Sequence, residues 1–266
     1  MARGKNRQYL VNSEGKVNYD NATTYDFIYK ASTTKDPNYN VGDLVRLPDG
    51  RELRYALSGS ALCCAEACYH VCAGIVPYTS ATTTIAVSAT SLTIPAATHV
   101  ALAKDKLRGG YIQIFGSATD DADSQFRGII GNDATAADVA FTLYLDGPTD
   151  VEIDTSHEYE VWGNPWDGVY WDSGAYRGKA GVPAAYCSAA STYVWIQTRG
   201  PKFCNPQSGV LNSTYQVGLF WRCDGSLQDA NTALATTIAQ YTTSQYAGYI
   251  IGGDYSGNGP LFMLQG

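Results

Sequence analysis

Along most of this chain apolar positions recur at every second residue in short runs, and Gly, Asn, Asp, Ser and Pro interrupt the runs. Such alternation predicts half-buried strands joined by tight turns. The clearest case is residues 41–56, VGDLVRLPDGRELRYA, which read as a β-hairpin. Leu44, Val45 and Leu47 lead into Pro48-Asp49-Gly50, and Leu53 and Tyr55 follow. Proline presets φ for the reversal and glycine supplies the positive φ it needs. A second strand covers residues 193–198, YVWIQT, and is expected to stop at Gly200-Pro201, because proline donates no ladder bond. Further strands are predicted within 78–95 around a Ser88-Ala89-Thr90-Ser91 turn, and at 111–115 after Gly109-Gly110. Others are predicted at 126–130, 141–145, 215–221, 249–253 and 260–264.

One segment departs from this period. In residues 60–72, SALCCAEACYHVC, Ser60 can cap a helix, and Leu62, Cys63, Ala67 and His70 fall at helical spacings. Residues 1–40 follow neither period. They are polar, with isolated aromatics at Tyr9, Tyr19, Tyr25, Phe27 and Tyr29, and read as an extended arm whose aromatic anchors press on another surface. Turn residues gather at 162–168, WGNPWDG, and mark the start of a second half. The expected organisation is an arm over 1–40, a first β-rich lobe over 41–165 and a second over 166–266. The expected fold class is all-β: an antiparallel sandwich or barrel-like body in one or two lobes, with one short helix near 60–72.

Composition narrows the range of partners. Two methionines and few long aliphatic helix formers in 266 residues argue against a helical bundle. A net charge of −7 opposes general nucleic-acid binding, which needs a positive surface to neutralise phosphates. The one basic cluster, Arg3, Lys5 and Arg7, is either a solvated tail or an arm that docks on an acidic neighbour. No run approaches the roughly 18 apolar residues of a membrane helix. No apolar core follows the basic start, so no signal peptide is expected, and folding in a cytoplasm is. Seven cysteines leave at least one thiol unpaired within the chain.

Candidate chemistry is sparse. Cys64, Cys68 and Cys72 recur at i, i+4 and i+8, so a helix would bring them toward one face beside Cys63 and His70. Structural zinc sites use two separated ligand pairs, and here there is one run, so buried thiols are preferred over a disulfide or a metal site. Asp120, Asp121 and Asp123 lack the glycine and distal glutamate of a calcium loop. Asp146, Asp150, Glu152, Asp154, Glu158 and Glu160 offer carboxylate pairs for acid–base work, but nothing in the pattern puts one in an apolar pocket. His157 beside them reads as a surface residue. No nucleophile elbow, phosphate loop or metalloprotease motif is present. Trp162, Trp166 and Trp171 form an aromatic turn suited to a subunit contact, a core edge or a sugar-stacking platform. Neither catalytic residue, metal nor cofactor is expected.

The order of segments carries a resemblance. Gly42-Asp43 precedes Asp49-Gly50-Arg51-Glu52-Leu53-Arg54-Tyr55-Ala56, and Gly109-Gly110-Tyr111, Asn164-Pro165, Gly181-Val182-Pro183 and the 193–201 strand follow. In style and order, from about residue 40 to Pro201, the chain resembles the capsid decoration, or cement, proteins of tailed bacteriophages, which are virion structural proteins. The resemblance implies a non-enzymatic β-rich protein, assembled in the host cytoplasm, that binds the outside of an icosahedral head. Its partners would be the major capsid protein and further copies of itself or other virion proteins. The side chains expected to make those contacts are Arg3, Lys5, Arg7, Tyr9, Tyr19, Tyr25, Phe27, Tyr29, Trp162, Trp166 and Trp171. A second reading is a head- or tail-fibre component that binds host glycans through the three tryptophans. A glycan depolymerase using Asp154 or Glu158 ranks third.

Overall fold

A computed structural model describes residues 9–11, 17–18, 26–116, 123–171, 177–206, 218–229, 245–253 and 260–265. The fold is all-β with barrel-like sheets, and the described residues contain no α-helix. None of their helices is long and apolar enough to cross a membrane. The chain divides into two compact units: one joins Met1–Val71 to Trp166–Gly266, and the other is Cys72–Pro165.

The first unit contains β1 (Tyr9–Val11), β2 (Val17–Asn18), β3 (Leu44–Arg46), β4 (Glu52–Ser58) and β5 (Cys68–His70). After the inserted unit come β12 (Asp167–Tyr170), β13 (Lys179–Pro183), β14 (Tyr193–Phe203), β15 (Gly218–Trp221), β16 (Leu227–Asp229), β17 (Tyr246–Gly253) and β18 (Pro260–Leu264). They form one sheet in the order β16-β15-β17-β18-β14-β13-β5-β12-β4-β3-β1-β2. A further pairing of β14 with β4 closes β14, β13, β5, β12 and β4 into a ring. Small and medium side chains from all five ring strands meet in one buried cluster: Ala56, Cys68, Val169, Ala180, Val194 and Ile196. A closed sheet of few strands leaves a narrow interior, which accounts for alanine and cysteine at these positions.

The β4–β14 pair is buried on both faces, which is why residues 193–196 read as a nearly continuous apolar run. Leu53, Tyr55 and Trp195 turn to the side opposite the ring cluster and pack with Ile28, Tyr39, Val45 and Leu47. The hairpin predicted at 41–56 is present as β3 and β4, with Leu44 opposite Arg54 and Val45 opposite Leu53. Its turn closes through the Gly50 N–H on the Leu47 carbonyl at 3.0 Å, with Gly50 at φ +87°.

The second unit contains β6 (Gly74–Ser80), β7 (Ser91–Ile94), β8 (Tyr111–Phe115), β9 (Gln125–Asn132), β10 (Phe141–Leu145) and β11 (Glu158–Trp162), in the order β6-β11-β8-β9-β10-β7. One face carries Val76, Leu92, Ile94, Ile112, Ile114 and Val161 into a core of its own. Its first and last strands are partners: Gly74 lies opposite Trp162, and the Gly163 N–H donates to the Ala73 carbonyl at 3.0 Å. The two ends of the inserted segment are therefore adjacent, as tolerance of an insertion requires.

Three expectations change. Residues 60–72 are not a helix. Leu62 makes an isolated bridge to Cys187, a turn follows, and Cys68–His70 is the ring strand β5 between β12 and β13. A helix of that length is marginal without tertiary support, and here the ladder bonds of two neighbouring strands outweigh it. The strand at 193 runs on to Phe203 instead of ending at Gly200-Pro201. At Gly200 (φ +93°) it leaves β4 and pairs with β18, with Pro201 opposite Met263. A Cβ at Gly200 would lie 2.8 Å from the Arg51 Cα, so only glycine allows the bend. Gln197 Nε2 donates to the carbonyls of Arg199 (3.1 Å) and Pro201 (2.8 Å) and holds the bend. Finally, much of the segment expected to be a free arm belongs to its own body. Tyr9–Val11 pairs with β3, and a 3-10 turn at Asp26–Tyr29 buries Ile28.

The compact units also differ from the sequential lobes over 41–165 and 166–266. They share the boundary at 165/166, but residues 41–71 belong with 166–266. The reason is that β4 pairs with β14 and β5 with β13, each more than a hundred residues downstream, which a reading by sequence order does not anticipate.

Candidate functional site

The outer face of the second unit's sheet is aromatic and acidic. Cross-strand partners share a face, so the pairings fix its rows. Trp162 on β11 lies opposite Tyr111 on β8, and Tyr111 lies opposite Gly128 on β9. In the next row Glu160 lies opposite Gln113 and Gln113 opposite Phe126; beyond it Glu158 lies opposite Phe115. Tyr111 and Phe126, both exposed, stack on the diagonal with centroids 5.3 Å apart and planes 18° apart. Tyr78 on β6 packs against Phe115 at 5.1 Å and is itself exposed. Five aromatic side chains thus stand on the solvent side of four adjacent strands whose other side is the core. Both residue sets come from one alternation: in Tyr111-Ile112-Gln113-Ile114-Phe115 the isoleucines are buried and the residues between them face outward.

The charged groups of this face are carboxylates, which accept hydrogen bonds. Glu158 accepts a hydrogen bond from Ser80 Oγ (3.4 Å) and another from the Tyr78 hydroxyl, and the second raises the Tyr78 pKa above its ordinary value. Asp146 accepts the Gly128 N–H at 3.0 Å and covers the spot a side chain would occupy there. Three carboxylates therefore stand among the five rings: Asp146, Glu158 and Glu160. The arrangement offers flat apolar area for stacking, with acceptors at its edge.

The residues nominated from sequence are distributed as follows. Trp162 belongs to this aromatic face. Trp166 and Trp171 belong to the other unit. Trp166 is half-buried beside the ring cluster, with His70 edge-on at 4.4 Å. Trp171 is exposed, and its indole N–H donates to the Asp224 carbonyl at 3.1 Å. Phe27 stacks on Tyr39 (5.7 Å) and meets Trp195 edge-on (5.8 Å), so its ring serves the chain's own core. Tyr29 is exposed, and its hydroxyl accepts from Arg51 at 2.6 Å. Tyr9 lies in β1. Arg3, Lys5, Arg7, Tyr19 and Tyr25 lie outside the described residues. Tyr78, Tyr111, Phe115 and Phe126 were not nominated. The signal for them was an outward position occupied by an aromatic ring where alternation calls for a polar residue.

The carboxylates that sequence offered as pairs have local partners. Asp150 pairs with Arg127 at 2.6 Å. Asp154 accepts from Ser156 Oγ and the Ser156 N–H and lies 3.0 Å from His157 Nδ1, which together hold it at about 2. His157 is buried, not on the surface. Its Nδ1 lies 3.0 Å from the Asp154 carboxylate and 3.2 Å from the Asp154 N–H, and its Nε2 is buried with no hydrogen-bond partner among the described residues. Asp120 and Asp121 lie outside the described residues.

None of the seven cysteines is in a disulfide. Cys68, Cys187 and Cys204 are buried, and burial pushes the Cys68 thiol up to about 12 and the Cys187 thiol up to about 11. Among the described residues no group of His, Cys, Asp or Glu is placed to hold a metal ion. Comparison with protein-family models, with curated protein sequences and with solved structures gives no match.

Proposed function

We propose that this chain is a decoration protein of a tailed-phage head, which binds the outer surface of the assembled shell and holds neighbouring major capsid subunits together by non-covalent contacts. The order of segments from residue 40 to Pro201 supports the reading at the level of sequence. The observation that carries it is the outer face of β6, β11, β8 and β9, where Tyr78, Phe115, Trp162, Tyr111 and Phe126 stand together. Contiguous exposed aromatic area of this kind marks interaction surfaces, and aromatic rings supply large rigid contact at small entropic cost. On a symmetric shell a modest contact repeats at every lattice site and gains through avidity.

The test uses heads stripped of surface proteins. The full chain should bind them at a fixed ratio and raise their melting temperature, and the double variant Tyr111→Ala, Phe126→Ala should bind at least about tenfold more weakly. Absence of saturable binding to the heads sinks the reading.

A second reading is a virion module for host glycans. Glu160 and Gln113 next to the Tyr111–Phe126 stack favour it, because pyranose rings present a C–H face to aromatic planes and hydroxyls to acceptors. Trp166 packs against its own core, so the informative substitution here is Tyr111→Ala. Glycan-array signals that vanish with this change support the module; a blank array with the unmodified chain removes it.

A further inference from the structure

The chain carries a net charge of −7, yet one cleft in its first unit is lined by cations. The cleft holds about 110 Å³ and is bounded by Arg177, Lys179, Trp221, Arg222, Cys223 and Gln245. Three strand ends meet there: Lys179 opens β13, Trp221 closes β15 before the turn bearing Arg222 and Cys223, and Gln245 immediately precedes β17. Gln245 clamps the backbone of Lys179 from both sides. Its Oε1 accepts the Lys179 N–H and its Nε2 donates to the Lys179 carbonyl. Lys179 is 8% exposed, and its ammonium donates to the Cys223 carbonyl at 2.6 Å.

Arg222 pairs with Asp224 at 3.1 Å. Arg177 has no such partner among the described residues: its guanidinium carbon sits 4.9 Å from the centre of the Tyr69 ring, and its hydrogen bond is a 3.4 Å contact to the Tyr69 hydroxyl. The Lys179 ammonium lies 5.7 Å from the same ring. Three cations thus border the cleft, and Lys179 among them is buried, where charge is screened less than in bulk water. Guanidinium groups present paired N–H donors that match the oxygens of a carboxylate or a phosphate. The volume admits one small group, well short of the roughly 300–1,000 Å³ of pockets that enclose a whole small-molecule ligand.

We propose that this cleft is an oxyanion site, which takes a single carboxylate or phosphate group on Arg177 and Arg222 with Lys179 adding charge from the wall. The site is independent of the aromatic face, and its ligand is either a free small anion or the acidic group of a larger partner.

The test is a nuclear magnetic resonance titration of the full-length ¹⁵N-labelled chain with sodium acetate and, separately, with inorganic phosphate, at an ionic strength held constant with sodium chloride. At least one anion should shift the Trp221 indole and Gln245 side-chain amide signals saturably, with a Kd of roughly 1–10 mM. Saturation by phosphate alone assigns the site to phosphoryl groups, and saturation by acetate assigns it to carboxylates. Arg177→Gln should weaken the response about tenfold while leaving amide signals remote from the cleft in place, which shows that the variant is folded. The proposal is overturned when neither anion shifts these signals beyond the chloride control, or when Arg177→Gln leaves the titration unchanged.

Discussion

At the scale of single residues, two side chains show how position decides what a group does. Trp195 is 1% exposed and touches Tyr39 at 5.0 Å, Tyr55 at 5.1 Å and Phe27 at 5.8 Å. It is the centre through which residues 26–40 are attached to the β4–β14 pair. Trp195→Ala should lower the unfolding free energy by about 3–5 kcal/mol, measured by denaturant titration, and should expose Phe27 to solvent quenchers. Asp154 acts through charge. Hydrogen bonds from Ser156 and His157 depress its pKa from 3.8 to about 2, so its carboxylate favours the folded state. The sign follows from linkage: the contribution is complete above the unfolded value near 3.8 and is lost as pH falls through that value toward 2. The melting temperature of the unmodified chain should therefore drop between those limits more steeply than that of Asp154→Asn. Equal slopes would count against the assignment. The sequence showed that Asp154 and His157 were neighbours but not that the histidine is buried, because burial depends on what the rest of the sheet brings over it.

At the scale of elements, turns were legible and partners were not. The Pro48-Asp49-Gly50 reversal, the Gly109-Gly110 approach to β8 and the strands at 141–145 and 260–264 all lie where alternation and turn chemistry put them. These features depend on φ preferences and on the period of side chains, both local properties. Residues 60–72 failed for the opposite reason: β5 exists because β12 and β13 flank it, and its own composition is ambiguous. The β15–β16 hairpin carries its own local signal, Asp224-Gly225 between apolar runs. Gly225 has φ +83°, and a Cβ there would lie 2.3 Å from the Ala67 carbonyl oxygen. Gly225→Ala should destabilise the first unit by about 1–3 kcal/mol from the backbone conformation alone. Amide exchange should accelerate first at Ala67 and Leu227, whose N–H groups donate to the Gly225 and Asn205 carbonyls.

At the scale of the whole molecule, the Cys72–Pro165 segment has its own core and its own paired ends. Expressed alone, it should give a dispersed amide spectrum and a cooperative melt; a collapsed spectrum would show that its sheet depends on the other unit. The same fragment carries the aromatic face, so it also provides the smallest piece on which head binding or glycan binding can be measured.

What the sequence determined by itself is the β character of the chain, most strand positions, the tight turns and the acidic balance that weighs against nucleic acid. Each of these follows from local periodicity, backbone preference or a sum over residues. The tertiary structure alone decided that the strand at 193 bends at Gly200 and continues, that residues 26–40 belong to the body, and that five strands distant in sequence close into a ring. It also decided which alternate positions face outward, and so brought Tyr111, Phe126 and Trp162 onto one surface and Arg177, Lys179 and Arg222 around one cleft. The physical reason is the same throughout. A strand's partner is chosen by long-range pairing and by which face is buried, and neither is written in the few residues of the strand itself.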